Sequence, residues 1–245
     1  MRDISDLLIG EKKNCRVKWY GDEVAEILVA NRPVFAAGTV PHEVPSVRTL
    51  VRTPGTSTPA NIDRARRRAR AKLFDLAYCN EWHFFGTLTL DRQKIDRYDY
   101  KAIVKKLNTW LNNRVQRKGL TYVIVPEYHK DGAIHFHGLF NNCLNLAKTG
   151  KFCQTQEGTK ETYNCTEWKF GFTSFIPITG DKARICGYLA KYITKDGEKV
   201  GGRYYLSGGN LKSPGYTYDN VDFETFESEQ MFEISNTGLK FKRKF

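Results

Sequence analysis

Long apolar runs are missing from this 245-residue chain. Nothing approaches the roughly 18 consecutive apolar residues of a membrane-spanning helix, so no membrane partner is expected. The opening Met1-Arg2-Asp3-Ile4-Ser5-Asp6 has no uncharged apolar stretch of the signal-peptide kind, and a cytoplasmic protein is expected. Close cysteine pairs are missing too. Cys15, Cys79, Cys143, Cys153, Cys165 and Cys186 are scattered, so free thiols are expected. A zinc-binding regulator using Cys143, Cys153, Cys165 and a histidine is therefore a weak reading. No Gly-x-x-x-x-Gly-Lys-Ser/Thr phosphate loop occurs, which leaves out a helicase motor of that class. No internal repeat is visible.

Acidic residues are few beside basic ones, 27 against 39, leaving a formal net charge of +12 and an isoelectric point near 9.4. Basic side chains that neutralise phosphates release condensed counterions, so nucleic acid is the first partner to consider. What the chain does have is apolar surface: 40% hydrophobic and 13% aromatic residues. That suffices for a core without metal or disulfide staples, so any metal site would serve chemistry.

Residues 14–30 alternate as a β-hairpin does, with Cys15, Val17 and Trp19, then Val24, Ile27 and Val29, around Gly21-Asp22. Residues 41–60 carry Pro41, Pro45, Pro54 and Pro59 and read as a linker, so residues 1–60 form a hairpin and arm. A helix is predicted next, capped by Asn61 or Asp63, with Ala65, Ala69, Leu73 and Leu76 at helical spacing. Arg64, Arg66, Arg67, Arg68, Arg70 and Lys72 fill its other positions. Such a run repels itself unless anions are near, which makes it a candidate DNA-phosphate contact; a solvated face is the plainer alternative.

Residues 82–90 read as a strand and 99–118 as a helix with Ile103, Leu107, Leu111 and Val115 on one stripe. Residues 121–127 and 133–140 flank the tight-turn pair Asp131-Gly132 and should form an antiparallel hairpin. Residues 141–165 look polar and irregular, 168–178 like a strand, and about 181–195 like a helix. The organisation of residues 201–245 is not readable. This order implies an α+β fold, an antiparallel sheet with helices packed on one face.

On the second strand of that hairpin, His135 and His137 share one face while Ile134 and Phe136 point to the core. Glu127 lies across the hairpin, and its carboxylate would complete a three-ligand metal site suited to Mg²⁺ or Mn²⁺, with Zn²⁺ also compatible by ligand type. Two polar residues on an exposed strand face are the bland alternative. On the helix near 181–195, Tyr188 and Tyr192 fall at i and i+4, about 5–6 Å apart between Cβ atoms. Lys191 and Lys195 each follow a tyrosine by three residues. Such a cation favours a phenolate or holds a phosphate oxygen. The alternative is an amphipathic helix whose tyrosines cover the core.

Three segments occur in a telling order: Phe85-Gly86-Thr87-Leu88-Thr89-Leu90, then His135-Phe136-His137, then Tyr188-Leu189-Ala190-Lys191-Tyr192-Ile193-Thr194-Lys195. Together they resemble the motifs of the HUH endonucleases, specifically two-tyrosine initiators of rolling-circle replication from single-stranded DNA phages and plasmids. Mobilisation relaxases, with tyrosine before the histidines, match less well. The resemblance covers about residues 61–196 and implies an endonuclease core over 61–200 with an RRM- or palm-like sheet.

It further implies a divalent ion held by Glu127, His135 and His137, and attack on single-stranded origin DNA by Tyr188 or Tyr192. Lys191 and Lys195 would assist, leaving a 5′-phosphotyrosine link and a free 3′-hydroxyl. A host helicase and polymerase in the bacterial cytoplasm would be the protein partners. A two-tyrosine transposase uses the same chemistry, and a non-catalytic nucleic-acid-binding module would keep the basic face alone.

Overall fold

The computed structural model describes residues 12–21, 24–36, 58–129, 131–193, 199, 202–225, 231–234 and 239–244, the last two ranges as backbone. Four strands come first: Lys12–Lys13 (β1), Cys15–Tyr20 (β2), Val24–Ala30 (β3) and Phe35–Ala36 (β4). Then follow Pro59–Tyr78 (α1), Phe84–Leu90 (β5), Tyr100–Lys118 (α2), Tyr122–Tyr128 (β6) and Ile134–Phe140 (β7). Leu146–Thr155 (β8), Gly158–Cys165 (β9), Gly171–Pro177 (β10), Lys182–Lys191 (α3) and Leu206–Gly208 (β11) come next. Gly215–Asp219 (β12), Met231–Ile234 (β13) and Leu239–Lys244 (β14) close the chain. The fold is α+β, as its sequence pattern implies.

Two compact units divide the chain, one from Met1–Thr56 with Ser213–Phe245, the other from Ser57–Lys212. In the first, β2 and β3 pair around Gly21, whose φ of 74° suits a residue without Cβ. The hairpin is not alone: β12 adds beside β2, and β14 with β13 beside β3, giving the order β12-β2-β3-β14-β13. Lys18 and Glu26, opposite each other in the β2–β3 ladder, are both buried and meet at 3.2 Å.

The second unit is built on a seven-stranded sheet, β11-β6-β7-β5-β10-β9-β8, antiparallel at each pairing. The β6–β7 hairpin forms as its turn chemistry predicts. Gly132 has φ 81°, and the Asp131 carboxylate accepts from the Ala133 N–H at 3.0 Å. Centrally, Gly86 of β5 faces Gly138 of β7. A Cβ on Gly138 would stand 2.7 Å from the Val123 carbonyl oxygen, so the close approach of the strands depends on its absence.

Three expectations are corrected. Residues 141–165 are not irregular but mostly form the long β8–β9 hairpin. The helices do not share one face. Ile103, Leu107 and Leu111 of α2 pack with Leu88, Ile124, Ile134 and Phe136 on one side. Leu73 and Ala77 of α1 pack with Cys186 and Leu189 of α3 on Phe85, Val123 and Leu139 on the other. Helical periodicity reveals an apolar stripe but not which sheet face it covers. Nor do Asn61 or Asp63 cap α1. Thr58 does, its hydroxyl accepting from Asn61 N–H, because Pro59 has a fixed φ and no N–H to satisfy and so fits the first helical position.

No helix among the described residues is long and apolar enough to cross a membrane. The six cysteines are free.

Candidate active site

The β10, β5, β7 and β6 registers set side chains of the α1/α3 face in rows, because residues directly opposite each other in a ladder point the same way. Ile176, Phe85, Leu139 and Val123 make one row, its last three members buried beneath α1 and α3. Next come Ser174, Thr87, His137 and Val125, and then Phe172, Thr89, His135 and Glu127. Exposure rises along this series. The histidine row is where the helices stop covering the sheet.

Glu127 lies opposite His135 in the ladder, but its carboxylate meets His137, with Oε2 to Nε2 at 2.7 Å. Thr87 Oγ1 lies 3.1 Å from the other ring nitrogen, Nδ1. With Glu127 ionised, Nε2–H donates to the carboxylate, and Nδ1 accepts from the Thr87 hydroxyl. His135 instead lies against His129, ring centroids 3.7 Å apart. Burial, then the neighbouring His129 and His137, lowers the His135 pKa to about 4. Burial also lowers that of His137, against the opposing pull of Glu127. Both imidazoles are therefore neutral near pH 7, the form that ligates a metal.

Helix α3 sits above this row. Asp181 caps it by accepting from Ala183 N–H, and Cys186, Leu189 and Ala190 are its buried residues. Tyr188 and Tyr192 emerge on another side, their hydroxyl oxygens 2.8 Å apart. The Tyr192 ring stacks on His137 at 4.0 Å, and Phe85 lies edge-on to Tyr188 at 5.4 Å. Spacing alone makes the two tyrosines equivalent; their surroundings do not. Tyr188 is 45% exposed, while Tyr192, the C-cap residue, is partly buried. Burial first, then the Tyr188 hydroxyl and the Glu127 charge, push the Tyr192 phenol well above its ordinary value.

The other candidate residues fall elsewhere. Lys191 is exposed at the end of α3, and among the described residues it makes no ion pair. The helix ends there rather than at 195, and Lys195 lies outside the described residues. Of the basic cluster on α1, Arg64, Arg67, Arg68, Arg70 and Lys72 are exposed. Arg66 is not: its side chain is only 13% exposed and pairs with Asp63 at 3.0 Å. Arg68 and Lys72 line a cleft of about 490 Å³ together with Lys199, Arg203, Tyr204 and Tyr205. Among the described residues none of these four cations makes an ion pair, and no acidic side chain lines the cleft.

Sequence reasoning missed Thr87, His129 and this far wall of the cleft. Thr87 was findable, since alternation places it on the face of Phe85 and Thr89 within a segment already singled out. His129 and the residues after α3 carry no periodic signal.

Among the described residues no group of three His, Cys, Asp or Glu side chains is arranged to hold a metal ion. In kind, the donors fit a hard divalent ion, because one carboxylate and two neutral imidazoles lie on one face of adjacent strands. Glu127 and His137 already meet; His135 must turn from His129 to join them.

No curated protein and no solved structure matches the chain. Residues 83–197, just under half of it and the segment holding β5 to α3, match the family model of the ORF2-type replication-associated proteins, which supports a role in DNA replication.

Proposed function

We propose that the chain initiates rolling-circle replication by cutting and rejoining single-stranded DNA through a phosphotyrosine. The observation that carries this reading is the Tyr188–Tyr192 hydroxyl pair set against the Glu127–His137 pair. Two nucleophile candidates and a carboxylate–imidazole pair thus occupy the one partly uncovered stretch of the sheet, within the segment that matches a replication family.

In this scheme a tyrosine Oη attacks the scissile phosphorus, forming the Oη–P bond as the P–O3′ bond breaks. The phenol loses its proton and the 3′ oxygen gains one. Because the bond energy is kept in the phosphotyrosine, the strand is rejoined by the reverse step. Glu127, His137 and, after rotation, His135 hold a Mg²⁺ or Mn²⁺ ion, which when bound withdraws charge from the phosphate oxygens. Thr87 fixes the His137 ring from behind, as outer partners of metal-ligating histidines do. Tyr188, the more exposed phenol, is better placed for the first cut. Tyr192, held on His137, must be freed before it attacks. The cations of the α1 cleft hold phosphates, and Tyr204 and Tyr205 offer stacking surfaces to unpaired bases.

The test is incubation of the protein with labelled single-stranded DNA carrying the origin region and Mn²⁺, followed by denaturing electrophoresis. A protein-linked label that disappears when both tyrosines are changed to phenylalanine supports the scheme. An unlabelled protein across Mg²⁺ and Mn²⁺ would sink it. Host helicase and polymerase belong to the same reading, as the partners that extend the freed 3′-hydroxyl.

A further inference from the structure

Phe172 on β10 is 66% exposed, the highest value among the exposed large hydrophobic residues described. A single exposed apolar side chain is ordinary on a protein surface. Its position is what counts. Phe172 pairs directly with Thr89 on β5, Thr89 with His135 on β7, and His135 with Glu127 on β6. All four side chains therefore lie on the same face, in one row across four adjacent strands. Strands spaced about 4.8 Å apart put the Phe172 backbone roughly 10 Å from that of His135.

Charge and polarity along the row are unequal. At one end stand the acid and the imidazole; next comes the hydroxyl of Thr89; at the other end stands a ring with no polar atom. Tyr188 and Tyr192 lie near the histidine end, where Tyr192 stacks on His137 in the neighbouring row. A strand whose phosphate sits at that end passes through the first few nucleotides within about 10 Å, given a rise of about 3.4 Å per stacked nucleotide and more when extended. An open aromatic face at that distance matches what unpaired bases use for stacking on β-sheet surfaces.

We infer that Phe172 forms a base-binding subsite, stacking an unpaired nucleobase that flanks the phosphate at the histidine row. This rests on the reading that the row handles single-stranded DNA. The subsite accepts any base, since each has a π face, and it rejects duplex, whose bases are stacked inward.

Binding is measured in EDTA, which separates the subsite from the chemistry, using three probes: oligothymidylate, an oligomer of the same length with abasic units throughout, and a duplex. Phe172→Ala should weaken oligothymidylate binding by roughly 5- to 150-fold while leaving abasic-oligomer and duplex binding unchanged. Phe172→Leu should behave like Phe172→Ala, and Phe172→Tyr like the parent. A single 2-aminopurine in the oligothymidylate should be quenched on binding to the parent and less so with Phe172→Ala. Equal affinity of parent and Phe172→Ala for oligothymidylate overturns the subsite, as does equal weakening toward the base-bearing and abasic oligomers. Base-dependent binding through Phe172 without any covalent adduct keeps the subsite and rejects the nicking scheme. An adduct formed with no Phe172 effect does the reverse.

Discussion

The two faces of the seven-stranded sheet are built to different ends. On the α2 side, Leu88, Ile124, Ile134, Phe136 and Phe140 meet Ile103, Leu107 and Leu111 with no polar side chain in the cluster. Trp110 and Trp168 pack edge to face at its rim, 5.2 Å apart, with the Trp110 N–H donating to the Glu167 carbonyl. On the α1/α3 side the helices cover Phe85, Val123 and Leu139 and then stop, leaving Thr87, Thr89, Glu127 and His135 only partly buried. Because side chains alternate along each strand, one set of strands supplies both a sealed core and an open row of reactive groups. The sealed face carries the stability, and the open one is left free to hold polar groups.

Changing both Tyr188 and Tyr192 to phenylalanine is the strongest test of that division. The covalent adduct should vanish entirely while the melting temperature moves little, because only two hydroxyls that bond each other are removed. Each single change should retain some cleavage if the tyrosines take turns. A single change that abolishes the adduct, with the other fully active, would assign all the chemistry to one phenol.

The complementary experiment is on the sealed face. Phe136→Ala should cost roughly 3–5 kcal/mol in denaturant unfolding, with adduct yield per folded molecule unchanged. A loss of adduct at full folded fraction would mean that the faces are coupled rather than separate.

A smaller change should follow from Arg68→Ala with Arg203→Ala. If both cations contact phosphates, the slope of log affinity against log salt for single-stranded DNA should flatten by about 1.4, at about 0.7 per contact. An unchanged slope would make the cleft a solvated surface.

The smallest expected effect concerns acid. His135 has its pKa lowered from 6.5 to about 4 by burial and by its histidine neighbours. The unfolded chain therefore takes up this proton first, and the stability tied to the neutral ring, complete above about pH 6.5, is lost toward pH 4. In EDTA the melting temperature of the parent should fall more steeply over that window than that of His135→Gln. Parallel profiles would show that the ring is not held neutral by the fold.

Much of the open face was legible in sequence. His-x-His on a strand after an Asp-Gly turn fixes which side the rings take, and the i, i+4 tyrosines fix a shared helix side. What escaped is what depends on pairing between distant segments. The β8–β9 hairpin, with Lys148, Thr149, Lys151, Gln154, Thr159 and Lys160, lacks the apolar alternation that marks a strand, since most of its side chains meet water rather than a core. Similarly, β12 and β14 join the β2–β3 hairpin from more than 180 residues away, which no local pattern announces. The contact of Glu127 with His137 rather than with His135, its ladder partner, depends on side-chain rotation, which spacing does not encode.

The turn between β6 and β7 has an evolutionary consequence. It brings Glu127 opposite His135 through a connection closed by the Gly132 N–H on His129 O and the His129 N–H on Ala133 O. A strand that slips by one residue exchanges its two faces. Losing or gaining one residue in this turn would send the carboxylate toward α2 and Phe136 toward solvent, in a single step and with no active-site residue altered. Drift among descendants of this chain can therefore change the letters of the turn, but lineages that change its length lose the site and the core together.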